Sequence, residues 1–207
     1  MKVLLFNGSP RAKGCTYTAL QEIAKVLHKH DIETELVQVG TQPMAACIGC
    51  GKCKDGSPCI FDDQITALGA RLDEFDGMII GAPIYYAGPS GQSTVFLDRL
   101  FYSAGAKLRG KPGAAIVSCR RGGASAGFDR LNKYFGIHSM PIVSSQYWNQ
   151  VHGNTPEEVL RDEEGMQTMR TLAENMAWLL KCIAAGRAAG VPEPVQELPK
   201  IRTNFIR

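Results

Sequence analysis

Apolar residues along the chain collect in five short runs, which longer segments with helical spacing separate. The runs occupy residues 2–6, 35–39, 77–82, 114–119 and 142–147. Several are continuous strings of Val, Ile, Leu and Ala without strict apolar–polar alternation, which is typical of strands buried on both faces of a parallel sheet. We therefore predict five parallel strands at these positions.

The intervening segments place apolar residues on one face of a helix, as Leu20, Ile23 and Leu27 do in the first of them. The predicted helices cover residues 16–30, 62–75, 92–104, 127–135 and 157–185. Asp62 or Asp63 is the expected N-cap of the second helix, and the methionines of the last are expected in the core. Repeated β-α alternation predicts an α/β fold, in which a doubly wound parallel sheet carries helices on both faces.

Two segments fall outside this alternation. Residues 41–61 form a cysteine-containing loop, and structureless loops of about 20 residues in compact domains are usually functional. Residues 186–207 form a basic tail that contains proline. We predict one domain over residues 1–185, which is an ordinary domain size, and a tail that packs on a partner subunit.

The charge balance argues against two classes of partner. The chain has 23 Lys and Arg against 20 Asp and Glu, and this net charge of +3 is too weak to favour nucleic acid or an acidic membrane surface. The N-terminal apolar run is too short for a signal peptide, because Gly8, Ser9 and Pro10 interrupt it. No stretch approaches the roughly 20 apolar residues of a membrane span. These features predict a cytoplasmic protein.

The junction between the first strand and the first helix has the composition of a phosphate-binding loop. It reads NGSPRAKGCT over residues 7–16. A helix that starts at the carboxyl end of a strand offers free backbone N–H groups and the positive end of its dipole to an anion. Ser9 and Thr16 add hydroxyl donors, Arg11 adds charge, and Gly8 and Gly14 permit tight backbone.

Two other phosphate motifs are absent from this junction. Gly14 is followed by Cys15 and Thr16 where a P-loop would have lysine, and G-x-G-x-x-G does not occur. A nucleoside triphosphatase and a Rossmann dinucleotide-binding domain therefore lose support. A monophosphate such as that of FMN fits the junction better.

Three stretches carry a resemblance to a known family. They are GSPR at residues 8–11 with Cys15 and Thr16, GAPIYY at residues 81–86 followed by Gly88 and Ser93, and CIGCGKC at residues 47–53 with Cys59, followed by Asp62 and Asp63. With the β-α order, they make residues 1–185 resemble the NADPH-dependent FMN reductase and iron–sulfur flavoprotein family of the flavodoxin-like superfamily. The resemblance implies a flavodoxin-like five-stranded parallel sheet in the order 2-1-3-4-5.

The resemblance also implies where FMN binds. The phosphate is expected at Ser9, Arg11, Cys15 and Thr16. The ring is expected beside the loop after strand three, at Pro83, Ile84, Tyr85, Tyr86 and Ala87. Exposed backbone N–H groups in that loop can bond to the pyrimidine edge of the flavin, and Tyr85 or Tyr86 can lie against its rings.

The loop after the fourth strand departs from the family pattern, which is commonly smaller and richer in glycine. It contains Arg120, Arg121 and Gly122. Arg120 and Gly122 are candidate cofactor contacts, because paired arginines at the carboxyl end of a strand suit an anion. The alternatives are that the arginines contact the phosphate of NAD(P)H or only solvent. Residues 147–149, at the end of the predicted fifth strand, are expected to border the same cleft.

Four of the seven cysteines crowd into one segment with the spacing C-x2-C-x2-C-x5-C. They are Cys47, Cys50, Cys53 and Cys59. Three cysteines at two-residue gaps curl a loop around one centre, as in bacterial [4Fe–4S] loops, and the resemblance supports such a cluster. The fourth cysteine departs from the usual pattern, because it lies farther on and Pro58 precedes it. Free thiols that shape the loop and a zinc site are the alternatives.

Together these features predict an FMN-dependent oxidoreductase that takes electrons from NAD(P)H and passes them to a quinone, a flavin, a similar small acceptor or an iron–sulfur centre. The flavin carries the chemistry, so no catalytic side chain is expected, and the four histidines have no metal or triad spacing.

Two other functions stay open. A flavodoxin-like electron carrier without a small-molecule substrate is the first, although flavodoxins tend to be acidic and this chain has a net charge of +3. The second is a sensor or interaction protein that uses the cysteine loop. For the oxidoreductase we expect a homodimer or homotetramer, with a small electron acceptor or a redox protein as the partner.

Overall fold

A parallel β-sheet forms the centre of the computed structural model, which describes residues 1–201 and residue 203. The strands are β1 (Lys2–Asn7), β2 (Glu33–Gln38), β3 (Gly77–Tyr85), β4 (Gly88–Pro89), β5 (Gly113–Cys119) and β6 (Gln150–His152). Five of them are parallel in the spatial order β2-β1-β3-β5-β6, while β4 forms a short antiparallel hairpin with the end of β3. With the hairpin set aside, this is the predicted order 2-1-3-4-5, and the predicted fold class is confirmed.

The two faces of the sheet are covered by the α-helices of the described part of the chain. These are α1 (Cys15–Lys29), α2 (Gln64–Ala70), α3 (Gly91–Ala104), α4 (Ala124–Ile137), α5 (Pro156–Arg161) and α6 (Glu163–Ala188). Leu4 and Phe6 of β1 pack with α2, α3 and α4, whereas Val3 and Leu5 pack with α1, α5 and α6. Both faces of the strands are therefore buried, which explains their continuous apolar sequences.

Helix α6 contributes methionines to the second of these cores. Met166, Met169 and Met176 are buried against α1 and the sheet, which confirms that they pack in the core. Each fully buried side chain of this size stabilises the fold by about 1.5–3 kcal/mol. Although α6 is long, no helix among the described residues has both the length and the apolar character needed to cross a membrane.

The fifth parallel strand lies farther along the chain than predicted. β6 covers Gln150–His152, whereas residues 142–147 contribute only one bridge, between Ile142 and Gly113. Val143 is buried, but Ile142 is about half exposed, so the apolar run does not form a strand. In β6 only Val151 is buried. A strand with one apolar residue carries no periodic signal, which is why the prediction was wrong here.

The predicted helix over residues 157–185 is two helices that break at Asp162. The Asp162 carboxylate accepts hydrogen bonds from the backbone N–H of Gly165 at 3.0 Å and of His152 at 2.6 Å. It therefore caps α6 and holds the end of β6 at the same time. α6 then runs to Ala188, beyond residue 185, and the separate role of the tail stays a prediction.

The second predicted helix, over residues 62–75, is also shorter in the structure. Asp63 caps it, because its carboxylate accepts from the backbone N–H groups of Ile65 and Thr66, as expected for one of the two candidate caps. The helix itself ends at Ala70 and is followed by a 3-10 turn over Leu72–Glu74. The cap places Asp63 directly beside the cysteine loop.

Candidate functional site

A cleft of about 210 Å³ opens at the carboxyl edge of the sheet. Its lining comes from the ends of β1, β3, β5 and β6, because parallel strands present these ends at one edge. The lining residues are Ser9, Arg11, Cys15, Thr16, Pro83, Ile84, Tyr85, Ser118, Cys119, Arg120, Gly153 and Asn154. Two arginines and no carboxylate line the cleft, so its charge suits an anion.

The start of α1 supplies one wall of this cleft. Gly14 is its N-cap and provides no side-chain hydrogen bond, and the first turn holds no acidic residue. The first intrahelical bond runs from the N–H of Thr18 to the carbonyl of Gly14 at 3.0 Å, so the earlier N–H groups have no acceptor in the helix. Nearby, the Arg11 N–H donates to Ser9 Oγ at 3.1 Å, which fixes the loop. The arrangement offers several donors to a bound anion.

Two buried hydroxyls join the first loop to β5. Thr16 Oγ1 and Ser118 Oγ lie 2.8 Å apart, and both residues are at least 95% buried. Thr16 also packs over Gly81, where an added Cβ would lie 2.9 Å from the Thr16 methyl carbon. The floor of the cleft is therefore fixed by packing and hydrogen bonding before any ligand binds.

The β3–β4 hairpin stands at another side of the cleft. Tyr86 and Ala87 form its two-residue turn with φ of 51° and 59°, the left-handed geometry of a type I′ turn. Neither is the Asn or Gly that such turns favour, so the turn stores about 1–3 kcal/mol of strain per residue. Gly123 supports it closely, since a Cβ there would lie 2.8 Å from the Cα of Ala87. Strained backbone of this kind occurs at ligand-binding loops.

The first loop and helix α3 are tied together through Gly8. Both Ser90 Oγ and Ser93 Oγ donate to the carbonyl of Gly8, at 2.9 and 2.7 Å. The N–H of Gly8 donates to the carbonyl of Gly81 at 2.7 Å. A Cβ on Gly8 would lie 2.1 Å from Ser93 Oγ, so only glycine fits this approach. These bonds hold the loops after β1 and β3 in fixed relation.

The cleft brings together most of the residues predicted to contact FMN. Those in its lining are Ser9, Arg11, Cys15, Thr16, Pro83, Ile84, Tyr85 and Arg120. Tyr86, Ala87 and Gly122 lie outside the lining, as do residues 147–149, which precede β6 rather than end a strand. Tyr86 is fully exposed and Tyr85 about half exposed.

Sequence reasoning did not select four of the lining residues. They are Ser118, Cys119, Gly153 and Asn154. Ser118 and Cys119 end β5, where their position after an apolar run was the available signal. Gly153 and Asn154 follow β6, so they were missed because that strand was placed too early.

Two thiols line the cleft, Cys15 partly buried and Cys119 buried, and both are protonated near neutral pH. Burial raises the pKa of Cys15, although a backbone hydrogen bond and the nearby Arg11 act in the opposite direction. Its Sγ lies 3.6 Å from the carbonyl oxygen of Gly153 and donates to it. Burial likewise raises the pKa of Cys119. Both thiols are therefore poor nucleophiles and serve as lining.

The cysteine loop folds over helix α3 and gathers its four thiols around a second, smaller pocket. A 3-10 turn over Lys52–Asp55 lies between Gly51 and Gly56, whose φ values of 77° and 89° let the loop curl tightly. The residues that line this pocket are Cys47, Ile48, Cys50, Gly51, Cys53, Cys59, Ile60, Phe61, Arg99, Tyr102 and Ser103. The structure thus brings the predicted cysteines together.

The thiols are not arranged around a single point. Within the described residues, no group of three or more His, Cys, Asp or Glu side chains could hold one metal ion. A zinc site needs four ligands at about 2.0–2.3 Å from one centre. The arrangement therefore does not support the zinc alternative.

Arg99 of α3 lies at the centre of this loop, with only 1% of the residue exposed. Its two terminal nitrogens bind the Asp63 carboxylate at 2.6 and 3.0 Å, and Nη1 also donates to the carbonyl of Ala45 at 3.2 Å. Nη2 lies 3.6 Å from Cys59 Sγ and 3.5 Å from the carbonyl of Phe61. Its Nε has no hydrogen-bond partner among the described residues.

Two neighbouring thiols of the loop, Cys53 and Cys59, differ electrostatically. Burial alone would raise the pKa of Cys59, but the backbone N–H of Phe61 and the guanidinium of Arg99 outweigh it and lower that pKa. Burial raises the pKa of Cys53, and the neighbouring cysteines add to this effect. Sequence reasoning did not select Arg99; a lone arginine among the apolar residues of the α3 segment was the available signal.

Comparisons with known proteins agree with this architecture. Residues 1–155 match the family described as NADPH-dependent FMN reductase. The chain is 31% identical over 191 residues to the iron-sulfur flavoprotein MJ1083 of Methanocaldococcus jannaschii, covering 88% of this chain and 99% of that protein. It is 28% identical over 192 residues to an iron-sulfur flavoprotein of Methanosarcina thermophila, covering 90% of this chain and 99% of that protein. The fold is similar to that of the flavodoxin, WrbA-like protein from Agrobacterium tumefaciens, with a TM-score of 0.59 and 17% identity over 87% of this chain and 97% of that one.

Proposed function

The chain belongs to the NADPH-dependent FMN reductase family of flavoprotein oxidoreductases, and from this premise we propose that it uses FMN to oxidise NAD(P)H and passes the electrons to a small acceptor or an iron–sulfur centre. A quinone, a flavin or a similar compound would serve as the small acceptor. The observation that carries the proposal is the cleft at the carboxyl edge of the sheet, where an uncapped helix start and two arginines meet without a carboxylate.

The residues of the cleft fit the phosphate of FMN. The free N–H groups at the start of α1, the Ser9 hydroxyl and the Arg11 guanidinium would hold it. Thr16 keeps the start of the helix in place through its bond to Ser118. A dianionic phosphate would satisfy these donors and neutralise the charge of Arg11.

The β3–β4 hairpin fits the ring end of the flavin. Pro83, Ile84 and Tyr85 line the cleft, and the exposed turn residues Tyr86 and Ala87 follow them directly. The backbone would bond to the pyrimidine edge, and Tyr85 would lie beside the rings. Bound FMN supplies the redox chemistry of the site, because it accepts a hydride and can release electrons one at a time.

The chain itself supplies binding and orientation rather than proton transfer. The cleft lining contains no His, Lys, Asp or Glu, and its two thiols are protonated near neutral pH. Arg120 stands exposed in the lining, where it suits the phosphate of NAD(P)H or of FMN. No acid–base residue is needed for a hydride that passes between two cofactors.

The cysteine loop fits a [4Fe–4S] cluster. Cys47, Cys50, Cys53 and Cys59 line one pocket, and each iron of such a cluster binds its own thiolate, so the ligands do not have to share one centre. The Nε of Arg99 is a buried donor with no acceptor in the part of the chain that the structure describes, and a sulfur-rich group in this pocket would satisfy it. These four thiolates would hold the cluster and make one-electron transfer available in the same domain as the flavin cleft.

Electron transfer to a redox protein, without a small-molecule substrate, is the second candidate function. Cys47 and Cys50 are exposed, together with Ile48 and Ile60, so a cluster in this loop would be accessible to a redox protein.

Seven cysteines without a disulfide fit a reducing compartment, which supports a cytoplasmic location.

A homodimer or homotetramer is part of the proposal. Apolar side chains stand exposed on α6 and on the tail, among them Trp178 at 67% and Val195 at 93%. Phe96 and Phe101 of α3 are buried in the chain's own core, so Tyr102 is the exposed aromatic residue of that helix. Light scattering at micromolar concentration tests the assembly, and a monomer would contradict it.

Anaerobic purification followed by an absorption spectrum and by quantification of FMN and iron tests both cofactors. The proposal expects about one FMN and about four irons per chain after reconstitution with iron and sulfide. Steady-state oxidation of NADH and NADPH with added quinone or flavin then separates the enzyme from the carrier. Bound FMN without turnover of either nucleotide would favour the carrier, and the absence of flavin would overturn both.

A further inference from the structure

Arg99 is a buried charged residue whose role the flavin cleft does not explain. Its side chain is a fully buried positive charge, which is costly unless it is paired and hydrogen-bonded. The bidentate contact with Asp63 satisfies the pairing. The remaining contacts are with the cysteine loop and not with the flavin cleft, since Arg99 lines the thiol pocket.

These contacts fix the loop on both sides of the cysteines. Nη1 holds the carbonyl of Ala45, two residues before Cys47, and Nη2 reaches the sulfur of Cys59 and the carbonyl of Phe61, two residues after it. One guanidinium on the rigid helix α3 therefore holds both ends of the segment that contains the four thiols. It also lies over the Phe61 ring, with 4.9 Å between the guanidinium carbon and the ring centroid.

From this geometry we infer that Arg99 positions Cys59 and raises the reduction potential of the iron–sulfur cluster that the proposed function assigns to the loop. The cluster gains one electron, and therefore one negative charge, when it is reduced. A buried guanidinium that donates to the sulfur of one ligand stabilises that added charge, since hydrogen bonds to sulfur and local charge set such potentials. The inference rests on the proposed function, because it requires the cluster.

The chain offers a chemically conservative test and a matched control. In the Arg99→Lys variant a positive charge can still pair with Asp63, but one ammonium cannot reach Asp63, Ala45 and Cys59 together. Arg99→Gln removes the charge and keeps hydrogen-bonding capacity. Arg130→Lys is the control, because Arg130 is a partly exposed arginine that pairs with Asp98 at 3.2 Å, outside the thiol pocket.

The experiment uses the full chain, reconstituted without oxygen, with iron and flavin quantified and the fold checked by circular dichroism. The cluster is reduced in a redox titration with dithionite, and electron paramagnetic resonance measures the fraction of reduced cluster at each potential. The inference expects Arg99→Gln to shift the equilibrium for cluster reduction at least tenfold toward the oxidised form, about 59 mV for a one-electron couple. Arg99→Lys should shift it in the same direction by less, and Arg130→Lys and the flavin potential should not change.

The outcomes separate the inference from the function on which it rests. Loaded clusters with an unchanged potential in both Arg99 variants would overturn the inference and leave the proposed function intact. Folded variants that hold FMN and fail to take up iron support it, because the loss is then specific to the cysteine loop. Loss of both fold and flavin in both variants would overturn it and make Arg99 a general structural residue. A wild-type chain that binds FMN and no iron would overturn the inference together with the cluster.

Discussion

Replacement of Arg11 by Ala is expected to weaken the binding of FMN and to leave riboflavin binding nearly unchanged. Arg11 lines the cleft beside the uncapped start of α1 and has no carboxylate partner among the described residues. A charge-assisted hydrogen bond to phosphate contributes about 1.5–3 kcal/mol. At 1.4 kcal/mol per factor of ten, the dissociation constant for FMN should rise roughly 10- to 150-fold. Riboflavin has no phosphate, so the substitution removes nothing that it contacts.

The assay is a titration of flavin-free protein with FMN and with riboflavin, followed by quenching of flavin fluorescence at low and moderate ionic strength. Arg121→Ala is the matched control, because Arg121 is also an exposed arginine at the carboxyl edge but does not line the cleft. The Arg11 and Thr16 double alanine variant should bind FMN at least as weakly as the single one. An unchanged FMN constant, or an equal loss for riboflavin, would refute the phosphate assignment.

Two further predictions concern stability. Gly8→Ala should lower the free energy of unfolding by about 1–3 kcal/mol, because the new methyl group would collide with Ser93. Thermal denaturation measures this loss. Gly122→Ala is the control and should match the wild type, because a Cβ at Gly122 meets nothing within 4 Å. Hydrogen bonds from Arg71 and Lys2 lower the pKa of Glu35 to about 2, so its stabilising effect is full above its ordinary pKa and is lost as the pH falls toward 2. Glu35→Gln should therefore cost up to about 1 kcal/mol in urea unfolding at neutral pH and progressively less in acid. If Glu35→Gln and the wild type differed in unfolding free energy by the same amount at neutral and acid pH, this prediction would be contradicted.

The sequence predicts the sheet well wherever burial is continuous. β1, β3 and β5 are apolar on both faces, so their runs are visible, and their parallel order places the loops after them at one edge. The proposed phosphate loop stands out in the sequence because it follows β1 directly. The same reasoning fails at β6, where only Val151 is buried and the pairing depends on hydrogen bonds from neighbouring backbone.

The cysteine pocket shows a second limit. The spacing of the four cysteines predicts a common pocket, because three of them are close neighbours along the chain. Sequence reasoning misses Arg99 because its partner Asp63 is 36 residues away, at the N-cap of α2, whereas Arg99 lies within α3. The break at Asp162 has a similar cause, since one of its two bonds goes to His152 on the sheet. Contacts between distant segments leave no local pattern.

The short length of β6 has a consequence for how copies of this protein can meet. An edge strand with free backbone groups can add a strand from another molecule, which leads to aggregation, and short or charged edges prevent this. β6 ends the sheet after three residues, so it offers little backbone for such pairing. β2, at the opposite edge, carries Glu33 and Glu35. Both edges resist extension of the sheet, and association is left to helices, loops and the tail.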